Sequence, residues 1–304
     1  MKRLLERLRL QGDLFPRLLA WAVPHCPFYL EPILIAGYTL VFFAMAATPR
    51  RAVQANLAVI DPSAPRLRLA FRSFRVFWNF AWTCVDGERA RSGDTAFRWD
   101  IIGRERFDSA AEPGRGLIVL TAHMGNYDVA AAAFAKKFGR KVHAVRAPEP
   151  TAALQEFRRA ELTESAGDSL EIAYNAPGGL LGVELVRALH AGEAVAVQGD
   201  RVMFDVSPIA CRFGGRQIRI PKGPFVLAML GGVPLIPIFI LRAGISRYRI
   251  VCMDAFECRR ARGDREGPIA EAAARWCSDL ESIVTENWHQ WFVFEPAFEP
   301  EPKP

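Results

Sequence analysis

The sequence predicts an α/β protein with a central, mostly parallel sheet flanked by helices and a membrane-associating helical segment at the N-terminus. The chain has 304 residues, 51% of them hydrophobic and 24% charged, which is the composition of a globular protein with a sizeable core. Beyond Gly93, short apolar runs alternate with helix-like segments, a pattern typical of helices packed on a sheet. Before that, residues 1–48 are rich in apolar and aromatic side chains flanked by arginines.

Composition excludes several classes of function. The net charge of +6 comes almost wholly from arginine, which suits an anionic partner such as a membrane surface, a phosphorylated substrate or an acidic carrier protein. The six cysteines form no Cys-x-x-Cys pair, and metal-ligand, P-loop and Rossmann motifs are absent. We therefore expect reduced cysteines, no metal and no nucleotide cofactor. No nucleic-acid-binding motif occurs either.

The N-terminal 48 residues allow three interpretations. Residues 1–10 have the spacing of a basic amphipathic helix, and the apolar run from Ile33 to Ala47 is shorter than the roughly 20 residues of a spanning helix. The segment is a buried helix pair, a hairpin lying in one leaflet, or a tilted span. Trp21 and Tyr38, with arginines on both sides, favour the membrane interface. The order of a signal peptide is absent, so we do not expect export.

The remaining elements follow from the same patterns. Residues 50–85 have helical spacing with a Pro-rich break at 61–65, and the last six residues are Pro-rich and charged. We predict a domain of N-terminal helices at 1–48, a catalytic domain at 49–298 and a flexible tail at 299–304. Strands are expected at residues 97–103, 116–123, 141–147, 170–173, 194–200, 217–223, 233–241 and 248–256, and helices at 127–138, 151–165, 179–190, 224–230 and 268–288.

The most informative segment is GLIVLTAHMGNYD, in which an apolar strand ends and presents His123. A histidine at the end of a strand can act as a general base, and a carboxylate such as Asp128 can orient its ring. Asn126 lies in the turn between them, where it shapes the turn or contacts substrate. The simpler alternative is that His123 ends the strand and Asp128 caps the helix. The spacing alone favours this alternative.

Two further groups of polar residues are candidate substrate contacts. Asp200 and Arg201 end a later strand, where Asp200 binds acceptor hydroxyls or lies near His123, and Arg201 holds a phosphate or pantetheine group. Arg216 and Lys222 flank a glycine-containing hairpin and suggest a phosphate or carrier contact. The structural alternatives are a surface turn with an ion pair for the first group and a solvated hairpin for the second.

The HxxxxD arrangement from His123 to Asp128 resembles the defining motif of the lysophospholipid acyltransferase superfamily. More closely, the chain resembles the bacterial lipid A biosynthesis acyltransferase branch and its relatives that acylate glycolipids. One departure is the lack of an EGTR-like phosphate-binding block, which argues against simple phosphatidic acid synthesis. Further segments that resemble the branch occur in the same order: 50–53 with 56–57, 192–201, 213–215, 221–224, 232–237 and 288–291.

The resemblance implies a membrane-associated O-acyltransferase at the cytoplasmic face of a bacterial inner membrane. His123 would deprotonate a lipid or glycolipid hydroxyl with help from Asp128, and the acyl donor would be an acyl carrier protein or coenzyme A thioester. No bound cofactor is implied. Two alternatives remain: an unusual acceptor, such as an amino-acid, polyketide or aryl polyene lipid, and a non-catalytic membrane lipid-binding protein that kept the fold.

Overall fold

A computed structural model describes residues 14–27, 29–93, 96–148, 155–156, 167–175, 179–202, 206–264 and 266–299. The predicted helix at 1–10, most of the predicted helix at 151–165, and residues 300–304 of the predicted tail lie outside this part of the chain. The first four described helices are α1 (Leu14–His25), α2 (Glu31–Met45), α3 (Ala47–Ile60) and α4 (Arg66–Ser92).

The central sheet has the strand order β1-β9-β8-β2-β5-β3-β4, and its neighbours are parallel except for the β8–β9 pair. A short strand, β10, pairs antiparallel with β8, and β6 and β7 form a separate hairpin. The prediction of a mostly parallel sheet is confirmed. The strands are β1 (Arg98–Ile102), β2 (Leu117–Thr121), β3 (Val142–Arg146), β4 (Leu170–Tyr174), β5 (Ala194–Gln198), β6 (Pro208–Phe213), β7 (Arg216–Pro221), β8 (Pro234–Gly244), β9 (Arg247–Cys252) and β10 (Phe256–Glu257).

Helices cover both faces of the sheet. The larger core lies on the face packed by α8 and α9, and the smaller core lies against α5 and α6. All five residues of β2 are buried, as expected for a strand covered on both faces. The helices are α5 (Arg104–Ala110), α6 (Tyr127–Phe138), α7 (Leu181–His190), α8 (Gly223–Gly231) and α9 (Glu266–Asn287).

The N-terminal helices pack on α4, and a buried cluster of ion pairs connects them to the sheet. Arg89 of α4 pairs with Glu31 of α2 and with Asp86, whose second oxygen accepts from Arg242 and from the Tyr248 hydroxyl at 3.0 and 2.8 Å. Asp86 is completely buried, so its several donors offset the cost of removing the charge from water. This cluster joins α2 and α4 to β8 and β9.

The bounds of α3 bear on the predicted domain division. The division at residues 48 and 49 falls in the first turn of α3, which begins at Ala47. No single described helix is long and apolar enough to cross a membrane. Taken together, α2 and α3 have the required length and apolar composition, but the pair is bent by 92°.

Candidate active site

A large cavity of about 1800 Å³ is lined by residues of α4, α5 and α6 and reaches the carboxyl edge of the sheet. This edge is where parallel α/β sheets place binding and reactive groups. Polar side chains lining the cavity include Thr121, His123, Asp128, Arg146 and Arg201. Apolar side chains lining it include Val119, Ala130, Phe134, Ile238 and Ile240.

Successive side chains along β2 and its continuation point to opposite faces of the sheet, and this alternation brings His123 to the cavity. Ala122 and Met124 pack into the core on the side of α9, so His123 points to the opposite face, beside α6. The turn that follows requires glycine at position 125. Gly125 has a φ of 54°, and a Cβ there would lie 2.3 Å from the carbonyl oxygen of Ile240.

The imidazole of His123 is paired with Asp200. His123 Nδ1 lies 2.7 Å from Asp200 Oδ1, and the His123 backbone N–H donates to Asp200 Oδ2 at 3.0 Å. The register of two parallel strands explains the pairing. Thr121 of β2 lies opposite Gln198 of β5, and both chains continue for two residues to reach His123 and Asp200.

Two tryptophans hold this pair in place. The indole N–H of Trp291 donates to Asp200 Oδ2 at 3.0 Å, and that of Trp276 donates to the Gly199 carbonyl at 2.8 Å. A Cβ at position 199 would lie 3.0 Å from the Trp276 indole nitrogen and 2.7 Å from Leu120, so this close approach favours glycine. The Asp200 carboxylate is therefore fixed by its own turn and by the C-terminal segment.

The hydrogen bonds keep Asp200 ionised. Burial by itself raises the pKa of Asp200, but the charge and hydrogen bonds of His123 and the Trp291 N–H outweigh it and lower the pKa below its usual value. An ionised carboxylate only accepts hydrogen bonds, so Nδ1 of His123 carries a proton. Nε2 is then the ring nitrogen that can take a proton from a substrate.

Asp128 has a different partner from the one expected. The carboxylate bonded to His123 Nδ1 belongs to Asp200, whereas Asp128 Oδ1 accepts from Arg146 Nη1 at 2.6 Å. The reason is local geometry: Asp128 lies in the first turn of α6, and Arg146 is the last residue of β3. Asp128 still lines the cavity that contains His123.

The side-chain amide of Asn126 forms hydrogen bonds with backbone groups of the protein. Its Oδ1 accepts from the Val129 N–H at 3.2 Å and caps α6, while its Nδ2 donates to the Thr83 carbonyl of α4 at 3.1 Å. The side chain is buried and lines the cavity. Asn126 thus fixes the turn after His123 against α4.

The remaining predicted residues separate into two places. Arg201 lines the cavity, and its Nη1 lies 4.0 Å from Glu295 Oε1. Arg216 and Lys222 belong to the β6–β7 hairpin and its end, and neither is among the described residues lining the cavity. Arg216 donates to the Glu299 carbonyl at 2.9 Å, and Lys222 pairs with Glu266 at 2.6 Å.

Sequence reasoning did not assign Trp291, Arg146 or Thr121 to the site. Trp291 lies in the closing segment that carried part of the resemblance, but the segment itself gives no hint of a carboxylate partner. Arg146 ends an apolar strand, the same signal that singled out Arg201, and this signal could have identified it. Thr121 immediately precedes Ala122-His123 at the end of β2.

A second, smaller cavity of about 230 Å³ lies between α1, α2 and α4 and is almost entirely apolar. Its lining includes Ile35, Phe77, Ala81 and Val85. Five residues line both cavities, which are therefore adjacent: Leu19, Tyr38, Phe42, Phe80 and Cys84.

The chain matches the model of the bacterial lipid A biosynthesis acyltransferases over residues 15–299, which includes every described element of the sheet. The chain belongs to this family. It is also similar to the phosphatidylinositol mannoside acyltransferase of Mycolicibacterium smegmatis, with 25% identity over 173 residues. That alignment covers 57% of this chain and 54% of the mycobacterial protein, so the chain aligns with about half of that relative's length.

The family is one of acyltransferases, which is the enzyme class that the sequence predicted. The residues quoted for the resemblance all lie within the matched range. Among the described residues, no group of three or more His, Cys, Asp or Glu side chains is arranged to hold a metal ion.

Proposed function

We propose that this acyltransferase is membrane-associated and transfers a fatty acyl group from an acyl carrier protein or coenzyme A thioester to a hydroxyl of a lipid or glycolipid. The proposed location is the cytoplasmic face of a bacterial inner membrane. The observation that supports this proposal most strongly is the buried His123–Asp200 pair at the wall of a large cavity with apolar sides. Such a pair is a general base beside space for a lipid.

In this proposal, His123 Nε2 removes the proton from the acceptor hydroxyl as its oxygen attacks the thioester carbonyl carbon. The C–O bond forms, the C–S bond breaks, and the departing sulfur takes the proton from the imidazolium as a free thiol. Asp200 holds the ring and stabilises its charge through Nδ1. General-base assistance of this kind contributes about 10²–10⁴-fold to the rate.

Thr121 is a candidate for binding a substrate oxygen. Its Oγ1 is buried and has no hydrogen-bond partner among the residues that the structure describes, and the side chain lines the cavity. Thr121 and His123 lie two positions apart along the same strand direction, so both face α6. A hydrogen bond from this hydroxyl to the carbonyl oxygen would stabilise negative charge as it develops.

The apolar walls supply space for hydrocarbon chains. The small cavity between α1, α2 and α4 adjoins the cavity of His123, and burial of each methylene group stabilises a bound chain by about 0.8 kcal/mol. In the proposal, the acyl chain extends from the site of the thioester past Cys84 and Phe80 into this smaller cavity.

Membrane association is supported by the surface of α1 and α2. Large apolar side chains on these helices are exposed, including Trp21 and Ile33 at 64% and 67%. The opposite side of α2 carries the buried residues Ile35 and Thr39 and packs toward α4. A helix that is apolar on its packed and its exposed sides is suited to lie at the membrane interface.

The experiment is an acyl-transfer assay on detergent-purified protein with isotope-labelled acyl carrier protein thioester or acyl coenzyme A and a total bacterial lipid extract. Mass spectrometry of the lipids identifies the acceptor, including unusual acceptors. We expect a new acylated lipid with wild type, reduced by about 100-fold or more in His123→Ala. Normal transfer by a folded His123→Ala variant would refute the proposed mechanism.

A further inference from the structure

The cavity has a second polar region that the proposed chemistry does not use. It lies at the carboxyl ends of β3 and β5, which are parallel neighbours with Ala144 opposite Ala196. Arg146 is the last residue of β3, and Arg201 follows the end of β5 by three residues. Two guanidinium groups from different strands therefore line one cavity.

Arg146 is oriented by Asp128. Its Nη1 donates to Asp128 Oδ1 at 2.6 Å, and its side chain is only 18% exposed. A guanidinium carries five N–H donors in a rigid planar arrangement, so it can bind more than one acceptor at the same time. The carboxylate of Asp128 thus fixes the direction in which Arg146 presents its donors.

Arg201 has a buried donor without an acceptor. Its Nε is buried and has no hydrogen-bond partner in the described part of the chain. Its Nη1 lies 4.0 Å from Glu295, whose side chain is mostly exposed, and a pair of this kind is weak. A buried N–H without an acceptor is unfavourable, so an anionic substrate group that reached it would be stabilised.

Tyr127 connects this region to the reactive histidine. Burial is the main cause that raises the pKa of Tyr127, and the positive charges of Arg146 and Arg201 both act to lower it. Both guanidinium groups are therefore close enough to interact electrostatically with the Tyr127 hydroxyl. The rings of Tyr127 and His123 are in edge-on contact, with centroids 5.7 Å apart. A group bound by the two arginines would therefore lie close to the acyl-transfer site.

The balance of charge favours an anion. Arg201 is weakly paired, since its Nη1 lies 4.0 Å from the mostly exposed Glu295, so its positive charge can attract a bound anion. Arg146, held by Asp128, adds a second guanidinium to the same cavity. A phosphoryl group carries negative charge on several oxygens, so it forms charge-assisted hydrogen bonds with both arginines, which are stronger than those a neutral hydroxyl or amide accepts. The same chemistry occurs in a phosphorylated lipid acceptor and in the phosphate-bearing arm of a pantetheine thioester.

We propose that Arg146 and Arg201 form a subsite for a phosphoryl group of one of the two substrates, and that Asp128 is a positioning residue that acts by orienting Arg146. The identity of the substrates rests on the proposed acyl transfer. Binding of the phosphoryl group does not require turnover, so the subsite can be tested without the reaction.

The test is calorimetric titration in two arms. The donor arm compares free coenzyme A with pantetheine, which lacks the phosphates. The acceptor arm compares a phosphorylated glucosamine lipid in detergent with the same lipid after phosphatase treatment. We expect wild type to bind the phosphate-bearing ligand of one arm about tenfold or more tightly than its phosphate-free counterpart, and that arm identifies the source of the group.

The variants Arg146→Ala, Arg201→Ala and Asp128→Asn should each reduce this discrimination by about tenfold or more. Arg249→Ala is the matched control, because Arg249 is an exposed arginine of β9 that does not line the cavity, and it should keep the discrimination. The proposal would be overturned if wild type bound the phosphate-bearing and phosphate-free ligands with equal affinity in both arms. It would also be overturned if the variants lowered the affinity for both ligands of an arm by the same factor. His123→Ala should retain discrimination while losing transfer, so failure of the subsite and failure of the proposed reaction are distinguishable.

Discussion

His123 and Asp200 face each other because the parallel pairing of β2 and β5, which aligns Thr121 with Gln198, continues two residues beyond the ends of the strands. The two residues are 77 positions apart in the sequence, and their contact at 2.7 Å exists only once the sheet has formed. The His123–Asp200 pair is thus a consequence of strand order rather than of a local motif.

The first prediction distinguishes the two carboxylates that could assist His123. Asp200→Asn should lower kcat by about 100-fold or more, because an amide cannot stabilise the imidazolium formed during proton transfer. Asp128→Asn should act mainly on KM, because Asp128 orients Arg146. Steady-state kinetics on both variants measure this, with circular dichroism as the control for folding. A larger loss of kcat in Asp128→Asn would assign the ring-orienting role to Asp128.

The sequence identified His123 as a candidate site residue but did not identify its hydrogen-bond partner. His123 could be found because one apolar strand and the turn after it are contiguous in the chain. Asp200 was predicted to lie at the end of a strand, and either to bind acceptor hydroxyls or to lie near His123. The choice stayed open because sequence alone does not say which strands are neighbours. Trp291 reaches Asp200 through the C-terminal segment, and no local pattern predicts that contact.

The second prediction concerns acid stability. The folded state lowers the pKa of Asp200 below the ordinary value of 3.8, so its contribution to stability is complete above that pH. The contribution is lost as the pH falls further, through the lowered pKa of the folded state. As the pH falls from 3.8 to about 2, the free energy of unfolding in urea should therefore fall more steeply for wild type than for Asp200→Asn. Identical slopes for the two proteins would contradict the prediction.

The third prediction concerns Asn56, which pins the C-terminal segment to α3. Its Nδ2 donates to the carbonyls of Val293 and Glu295 at 3.2 and 2.8 Å, and its Oδ1 accepts from the Ala297 N–H at 3.0 Å. Asn56→Ala removes three hydrogen bonds of a buried side chain and should lower the free energy of unfolding by about 2–4 kcal/mol. Denaturant titration measures the change.

The matched control for Asn56 is Asn79→Ala. Asn79 is a more exposed residue of α4 whose Nδ2 donates to the Arg75 carbonyl within the same helix. Its replacement should change the free energy of unfolding by less than about 0.5 kcal/mol. Similar losses in the two variants would show that the contacts of Asn56 do not account for its effect.

The fold was largely predictable because β2, β5 and β8 are apolar runs bounded by glycine or polar residues, and α6 has the bounds predicted from the spacing. The short elements β6, β10 and α5 were not predicted. β6 begins with a proline and carries an arginine among its six residues, and it is stabilised by its partner β7. α5 has only seven residues, too few for a helical period to be recognised. Tertiary pairing determines such elements.

The fourth prediction tests the exposed apolar surface of α2. Ile33→Glu combined with Leu40→Glu should reduce binding to vesicles of anionic bacterial lipids by about tenfold or more, because two exposed apolar side chains would no longer enter the interface. Ile245→Glu is the control, since Ile245 is 62% exposed in the turn between β8 and β9. Flotation measures binding, and equal effects of the α2 and Ile245 substitutions would contradict the assignment.

The fifth prediction tests the path of the acyl chain. Cys84 lines both cavities and lies on α4 one residue after Thr83, whose carbonyl accepts from Asn126 beside His123. Cys84→Phe should narrow the connection and shift the preference toward shorter acyl chains, because each methylene excluded from an apolar site costs about 0.8 kcal/mol. Cys84→Ala, which removes volume, should leave the preference at the wild-type length or longer.

Competition between acyl thioesters of different chain lengths, read by mass spectrometry of the product, measures this preference directly. The ratio of products is insensitive to the amount of active enzyme, so partial loss of folded Cys84→Phe protein does not mimic a shift in length. If Cys84→Phe lowers the rate for all chain lengths equally, the chain does not pass Cys84. The chain would then lie along the apolar wall of the large cavity that includes Val119, Phe134 and Ile238.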